Sequence, residues 1–128
     1  MSRAYNIATT ALALGVSHKW VDNALSHYAV SGVQQGGRGI RRRISMDGVF
    51  ELFVARMLVA WLGITLENAI HLARVLPASG ELQILPELRL TLDIASVRIN
   101  LEHKLALAVE AAPTPKRGRP PGKTKRGA

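Results

Sequence analysis

The apolar positions from Ile7 to Tyr28 recur at helical spacing on both sides of a glycine. Before the glycine, the apolar face consists of Ala8, Ala11 and Leu12. Gly15 supplies the positive φ that a sharp helix exit requires, and Ser17 stands where an N-cap residue belongs. After it, one stripe consists of Trp20, Val21, Ala24, Leu25 and Tyr28. The pattern predicts two short helices about a tight turn, with the second helix packed through its stripe.

The other side of the second helix is polar. It carries His18, Lys19, Asp22, Asn23, Ser26 and His27. These side chains offer the donors and acceptors that a helix facing base edges and phosphates needs. A solvated helix face has the same composition, so this feature alone leaves both interpretations open.

The chain from Val30 to Ile44 has the pattern of a β-hairpin with a glycine-rich tip. Four arginines fall within six residues, namely Arg38, Arg41, Arg42 and Arg43. Strand alternation places Arg42 on the apolar side with Ile40 and Ile44, unless the strand twists. Guanidinium groups bind phosphate bidentately and enter narrow minor grooves. An acidic protein or a membrane surface is the alternative partner, but the neighbouring helix pair favours nucleic acid.

These residues resemble the DNA-binding domain of MerR-type regulators and their excisionase-like relatives. The resemblance is carried by the run ALALGVSHKWVDNAL, by Gly32-Val33 and by the run GIRRRISMD, and it covers roughly the first 75 residues. The family usually has aromatic residues where this chain has Ile40 and Ile44. The resemblance implies a winged helix-turn-helix. It also implies DNA contacts by His18, Lys19, Asp22 and Asn23 of the recognition helix and by the wing arginines. We expect Ser17, at the start of that helix, to contact DNA as well.

The middle of the chain predicts two further helices. Ser45 is a good N-cap, and Asp47 lies in the first turn that follows. The third helix is apolar nearly all round, through Val49, Phe50, Leu52, Phe53, Val54, Ala55, Met57, Leu58, Val59, Ala60, Trp61 and Leu62. Such a helix is either central to the core or shared with a partner chain. Gly63 ends it, and Thr65 caps a fourth helix that is lined by Leu66, Ala69, Ile70, Ala73 and Leu76.

A strand and a last helix are predicted after Gly80. Leu88, Leu90 and Leu92 alternate with polar residues, as in a half-buried strand, and Leu82 with Ile84 can form its hairpin partner. Asp93 can cap a helix with the stripe Ile94, Val97, Leu101, Leu105 and Ala108. These elements either complete the monomer core or form a homodimer. The dimer is favoured because it doubles the base contacts of one helix-turn-helix.

The last 17 residues are rich in Pro, Gly, Lys and Arg, which predicts a tail that is disordered when free. Its central residues resemble an AT-hook, through Lys116, Arg117, Gly118, Arg119, Pro120 and Lys123. A glycine between two arginines lets the backbone lie flat in a minor groove narrowed by A·T pairs. A generic basic tail is the alternative.

The net charge of +8 is concentrated at the two ends of the chain. Residues 1–45 contain six Lys/Arg and one acidic residue, residues 46–111 contain five and eight, and residues 112–128 contain six and none. Two cationic ends around a mildly acidic middle indicate two separate contacts with a polyanion.

Little in the sequence points to catalysis. There is no cysteine, the four histidines are scattered, and no phosphate-binding loop, nucleophile elbow or paired-carboxylate cluster is present. We therefore expect no enzyme activity, no cofactor and no metal. The N-terminal residues lack a signal-peptide core, and the longest apolar run is too short to span a bilayer. We expect a cytoplasmic, nucleoid-associated bacterial protein.

Together these features predict a mainly α fold with small β elements and three segments. Residues 1–76 form a winged helix-turn-helix domain, residues 77–111 a packing or dimerisation segment, and residues 112–128 an AT-hook tail. The predicted function is transcription regulation at A·T-rich double-stranded DNA. Two alternatives stay open, an architectural protein that coats A·T-rich DNA and an antitoxin-like or adaptor protein.

Overall fold

The computed structural model describes residues 4–34 and 42–111. Over these residues the fold is mainly helical with small antiparallel sheets, as predicted. The elements are β1 (Ala4–Tyr5), α1 (Ile7–Leu14), α2 (His18–His27), β2 (Val33–Gln34), β3 (Arg43–Ser45), α3 (Met46–Leu62), α4 (Leu66–Val75), β4 (Glu81–Leu85), β5 (Leu88–Thr91) and α5 (Ile94–Ala111). One sheet has the strand order β1-β3-β2, and β4 pairs with β5 in a second sheet.

The turn between α1 and α2 has the predicted geometry. Gly15 lies in the left-handed region with φ 71°. The Ser17 hydroxyl accepts a hydrogen bond from the Trp20 amide at 2.9 Å, which caps α2. Val21, Ala24 and Leu25 are buried. Both helices and the packing stripe of the second are thus confirmed.

The buried side of α1 differs from the prediction. Leu12 was expected on the apolar face, but 51% of its surface is exposed. The buried residues are Thr9, Thr10, Ala11, Ala13 and Leu14. Thr10 can be buried because its hydroxyl donates to the Asn6 carbonyl oxygen at 2.9 Å. Since α1 contacts α2, α3 and α5, small side chains on several of its sides are covered.

The strand β1 was not predicted. It pairs with β3 through Ala4↔Ser45 and Tyr5↔Ile44, and β2 pairs with β3 on the opposite edge. Ile44 therefore lies in the middle strand and is completely buried. A two-residue strand carries too little alternation to be recognised without its partner.

The helices α3 and α4 pack against each other, both begin as predicted, and α3 ends as predicted. Ser45 and Thr65 accept hydrogen bonds from the amides of Gly48 and Asn68. Gly63 ends α3 in the left-handed region with φ 70°. The first part of α3 is central to the core, but its last turn emerges, and Trp61 is 82% exposed.

The predicted hairpin and last helix are also present. Leu82 pairs with Leu90 in β4–β5, and the buried residues of α5 are Leu101, Leu105 and Ala108. These α5 side chains belong to the same hydrophobic core as those of α1 and α2, and α5 packs mainly on α1. The predicted division at residue 76 therefore separates two segments whose side chains share one core.

Candidate nucleic-acid interface

The polar face of α2 is open to solvent in the structure. His18, Lys19, Asn23, Ser26 and His27 are exposed, and Asp22 is half-buried. Lys19, Asn23 and His27 are spaced four residues apart and so follow one line along the helix. The His27 ring Nδ1 lies 2.9 Å from the Asn23 carbonyl oxygen, which holds the ring against its own helix. The predicted α2 residues therefore form a continuous polar surface.

Arg42, just before β3, crosses to α2. Its Nη1 donates to the Asp22 carboxylate oxygen Oδ1 at 3.1 Å and to the Ser26 hydroxyl at 3.1 Å. The Asp22 carbonyl oxygen is 3.4 Å away. The side chains of Arg42 and Asp22 are 27% and 50% exposed. An ion pair this accessible to solvent contributes about 0.2–1 kcal/mol.

The other arginine that the structure describes in this region points elsewhere. Arg43 is exposed and pairs with Gln34 across the sheet, and the next residue, Ile44, is completely buried. Successive side chains of a strand alternate between its faces, so Arg43 lies on the solvent side, opposite to Ile44. Arg38 and Arg41 lie outside the described residues, and so does the whole predicted AT-hook.

The base of the β2–β3 pair is attached to the start of α3. The Ser31 amide donates to the buried carboxylate of Glu51 at 3.2 Å, and the Ser45 amide donates to the Gly32 carbonyl oxygen at 2.8 Å. Gly32 has φ 71°, and an added Cβ would collide with the Ser45 hydroxyl. Gly48 is equally restricted, because its Cβ would collide with the Ser31 carbonyl oxygen. These contacts set where the strand pair leaves the core.

Sequence reasoning missed the role of Glu51. Glu51 is only 7% exposed, on a helix whose neighbouring positions are apolar. A buried carboxylate needs a hydrogen-bond donor, and the Ser31 amide provides one. An acidic residue within an otherwise apolar helix face was the signal in the sequence.

Two concave surfaces lie away from α2. An apolar groove of about 400 Å³ has a lining that includes Leu12, Phe53, Leu107 and Ala108. A cleft of about 350 Å³ includes Asp47, Glu51, Phe50 and Arg98, and the Arg98 guanidinium carbon lies 4.8 Å from the Phe50 ring centre. Within residues 4–34 and 42–111, no three His, Asp or Glu side chains are grouped to hold a metal ion.

A scan against protein-family models, a search of curated proteins and a search of solved structures each found no match. None of the helices in the described part of the chain is long and apolar enough to cross a membrane.

Proposed function

We propose that this protein is a sequence-specific DNA-binding transcription regulator of A·T-rich sites, built on a MerR-like winged helix-turn-helix. In this proposal α2 is the recognition helix and the β2–β3 pair is the wing. The observation that carries it is the contact of Arg42 with Asp22 and Ser26. This contact holds an arginine-bearing strand directly beside a solvent-exposed polar helix.

The side chains of α2 suit a major groove. The groove admits an α-helix, and lysine donates to the acceptors of guanine while asparagine pairs with both polar groups of adenine. Lys19 and Asn23 are exposed and one helical turn apart. His18 lies beside them at the helix start, and the Ser17 hydroxyl is engaged in the cap. We therefore assign base reading to Lys19 and Asn23 first.

The arginines and the tail serve phosphate and minor-groove binding in this proposal. Arg43 is exposed on β3, and the tail adds six cationic residues without an acidic one. A tail tethered to a bound protein has an effective concentration in the ~mM range near its duplex. A weak AT-hook at Arg117 and Arg119 then adds to affinity beside A·T tracts, whose narrow grooves have the most negative potential.

We also propose a homodimer through the segment after Gly80. The support is the exposed apolar surface of β4–β5, where Leu85 and Leu88 are 54% and 50% exposed. A second copy doubles the number of base contacts. Leu85→Ser with Leu88→Ser in the full chain should shift sedimentation toward the monomer. Unchanged sedimentation would place the interface elsewhere.

A protein-binding adaptor is the second candidate function. The observation that favours it is Trp61, which is 82% exposed next to Leu62, itself 57% exposed. Tryptophan is enriched among the residues that dominate protein–protein binding energy. The adaptor predicts stable co-purification of an unrelated chain that Trp61→Ala releases.

Selection from a pool of random duplexes by the full-length protein tests the proposed function. A regulator enriches one sequence, whereas an architectural protein enriches A·T content and an adaptor enriches nothing. On the enriched duplex, Lys19→Ala with Asn23→Ala should lower the preference over a scrambled duplex by roughly tenfold or more, since each base contact contributes about 1–3 kcal/mol.

The structure offers a matched control for these substitutions. Asn100 and Lys104 are also exposed and four residues apart, but they lie on α5. Replacing both with alanine removes the same chemical groups and should leave the preference unchanged. An equal loss of affinity on enriched and scrambled duplexes after the α2 substitutions would contradict base reading by α2.

A further inference from the structure

The position of Asp22 conflicts with a simple model in which all polar residues of α2 face the duplex. Phosphates repel a carboxylate that lies close to them. Of the base edges in the major groove, a carboxylate is suited mainly to the amino group of cytosine. In the structure the Asp22 carboxylate already accepts a hydrogen bond from Arg42 at 3.1 Å. The residue one turn later, Ser26, contacts the same guanidinium nitrogen. One line of α2 is thus directed to the strand.

We propose that Arg42 is a positioning residue that fixes the recognition helix against the wing, with Asp22 as its acceptor. This inference rests on the proposed function and deepens it. Asp22 and Ser26 hold the helix in register, and the adjacent line through Lys19 and Asn23 reads bases. Arg42 therefore determines sequence preference without binding a phosphate.

The chemistry of the contact supports a positioning role. A guanidinium group stays charged and presents its donors in a rigid planar arrangement. Arg42 directs one nitrogen at three acceptors on α2, the Asp22 carboxylate and carbonyl oxygens and the Ser26 hydroxyl. Pairing also cancels the charge of Asp22, the single acidic residue among residues 1–45. The phosphates then meet a helix without an uncompensated negative charge.

The strand β3, which follows Arg42, is held firmly in the fold, so a contact made by Arg42 can fix the position of α2. β3 is the middle strand of its sheet, Ile44 is completely buried, and Ser45 caps α3. The strand cannot shift without disturbing the core. A link from such a strand to two residues one turn apart therefore constrains the rotation of α2 about its own axis, which decides which side chains reach the groove floor.

Arg42 and Arg74 provide a matched pair for the test. Arg42→Lys keeps the charge but loses the planar group, and Arg74→Lys makes the same change at an exposed position on α4, outside the proposed interface. On a duplex enriched by the wild-type protein and on its scrambled version, Arg42→Lys should reduce the preference roughly two- to tenfold. Arg74→Lys should leave the preference unchanged.

Salt dependence separates positioning from phosphate binding. Each neutralised phosphate contributes about −0.9 to the slope of log K against log salt. Arg43→Gln should lower the magnitude of the slope by about that amount, whereas Arg42→Gln combined with Asp22→Asn, which removes both charges of the ion pair, should leave the slope unchanged. An equal fall for both variants would show that Arg42 binds a phosphate and would overturn the inference.

A double-mutant cycle with Asp22→Ala completes the test. If Arg42 acts through Asp22, then Arg42→Lys has a smaller effect on preference once Asp22 is replaced, since only the Asp22 carbonyl oxygen and the Ser26 hydroxyl remain as acceptors. Fully additive losses would overturn the inference, provided that thermal unfolding shows each variant to be folded. The proposed function fails separately, if the wild-type protein prefers no duplex. A wild-type preference without coupling leaves the proposed function standing and removes only the positioning role.

Discussion

The strand pairs β2–β3 and β4–β5 begin alike and then differ in what covers them. Gly32 precedes β2 and Gly80 precedes β4, with φ of 71° and 84°. In each pair the glycine carbonyl oxygen accepts a 2.8 Å hydrogen bond, from the Ser45 amide in one case and from the Leu92 amide in the other. Each pair also leads directly into a long helix. The two pairs therefore begin with the same glycine conformation and the same hydrogen bond.

Beyond these first residues the two pairs differ. β3 also pairs with β1, so it is the middle strand of a three-stranded sheet, and its Ile44 is completely buried. β4–β5 has two strands, and Leu88 at the start of β5 is 50% exposed. Alternation in a sequence predicts that a strand has an apolar face, but not that anything covers that face. A two-stranded pair on its own is only marginally stable in water, so the second pair is the more suitable surface for a partner.

The largest expected loss of stability comes from shortening a side chain on the covered face of β3. Ile44→Ala should destabilise the protein by about 2–5 kcal/mol, because it leaves a cavity in the core. Leu88→Ala should change the free energy of unfolding by no more than about 0.5 kcal/mol, since half of the side chain is already in water. Urea denaturation of both variants measures the difference.

The same pair of variants can reveal a covered β4–β5 surface in solution. If a second copy of the chain buries Leu88, the free energy of unfolding that is lost in Leu88→Ala will increase with protein concentration. Comparable losses at the two positions, independent of concentration, would contradict the contrast between the pairs.

A smaller loss of stability is expected at the glycine that precedes each strand pair. Gly32→Ala and Gly80→Ala should each cost roughly 2–4 kcal/mol, from backbone strain together with displaced contacts. An added Cβ would meet the Ser45 hydroxyl in the first case and the Leu92 carbonyl oxygen in the second. Gly63 is the control, because its φ is 70° but its Cβ would enter open space. Gly63→Ala should lower the stability by only about 1 kcal/mol. Thermal unfolding of the three variants measures these losses. Equal losses of stability at the three glycines would show that backbone strain alone matters.

The smallest effect concerns the helix that follows each pair. Ser45 caps α3 with a hydroxyl, whereas Asp93 accepts hydrogen bonds from the Ser96 amide and hydroxyl at the start of α5. The Ser96 amide, and then its hydroxyl, hold the pKa of Asp93 below its ordinary value. This contribution to stability is complete above the unfolded-state pKa of about 3.9 and is lost as the pH falls through the lowered folded-state pKa.

The Ser96 amide resonance should therefore titrate below about pH 3.9. Asp93→Ser keeps a capping oxygen but removes the titrating group, so the resonance should no longer follow the pH in that variant. Titration of Ser96 in the variant would assign the effect to another carboxylate.

Much of the local structure could be predicted. The turn at Gly15, the caps at Ser17, Ser45 and Thr65, and the end of α3 at Gly63 all agree with the structure. Each depends on a backbone conformation or a hydrogen bond that spans about four residues. The side chains responsible are therefore neighbours in the sequence.

The candidate site was only partly predictable for the same reason. The polar line of α2 could be read from helical spacing, and so could the opposite directions of Arg43 and Ile44. The direction of Arg42 was left open, because its acceptors Asp22 and Ser26 lie 20 and 16 positions earlier. The contact of Glu51 with Ser31 likewise spans 20 positions.

The sequence by itself determined where the helices begin, where α1 and α3 end, and which side of most helices is apolar. Only the tertiary structure decided that β1 exists, that Leu12 and Trp61 emerge from the core, and that Arg42 faces α2. Local elements follow from the backbone preferences and capping groups of adjacent residues. Burial and long-range pairing depend on which surfaces meet, and that depends on the packing of all the elements at once.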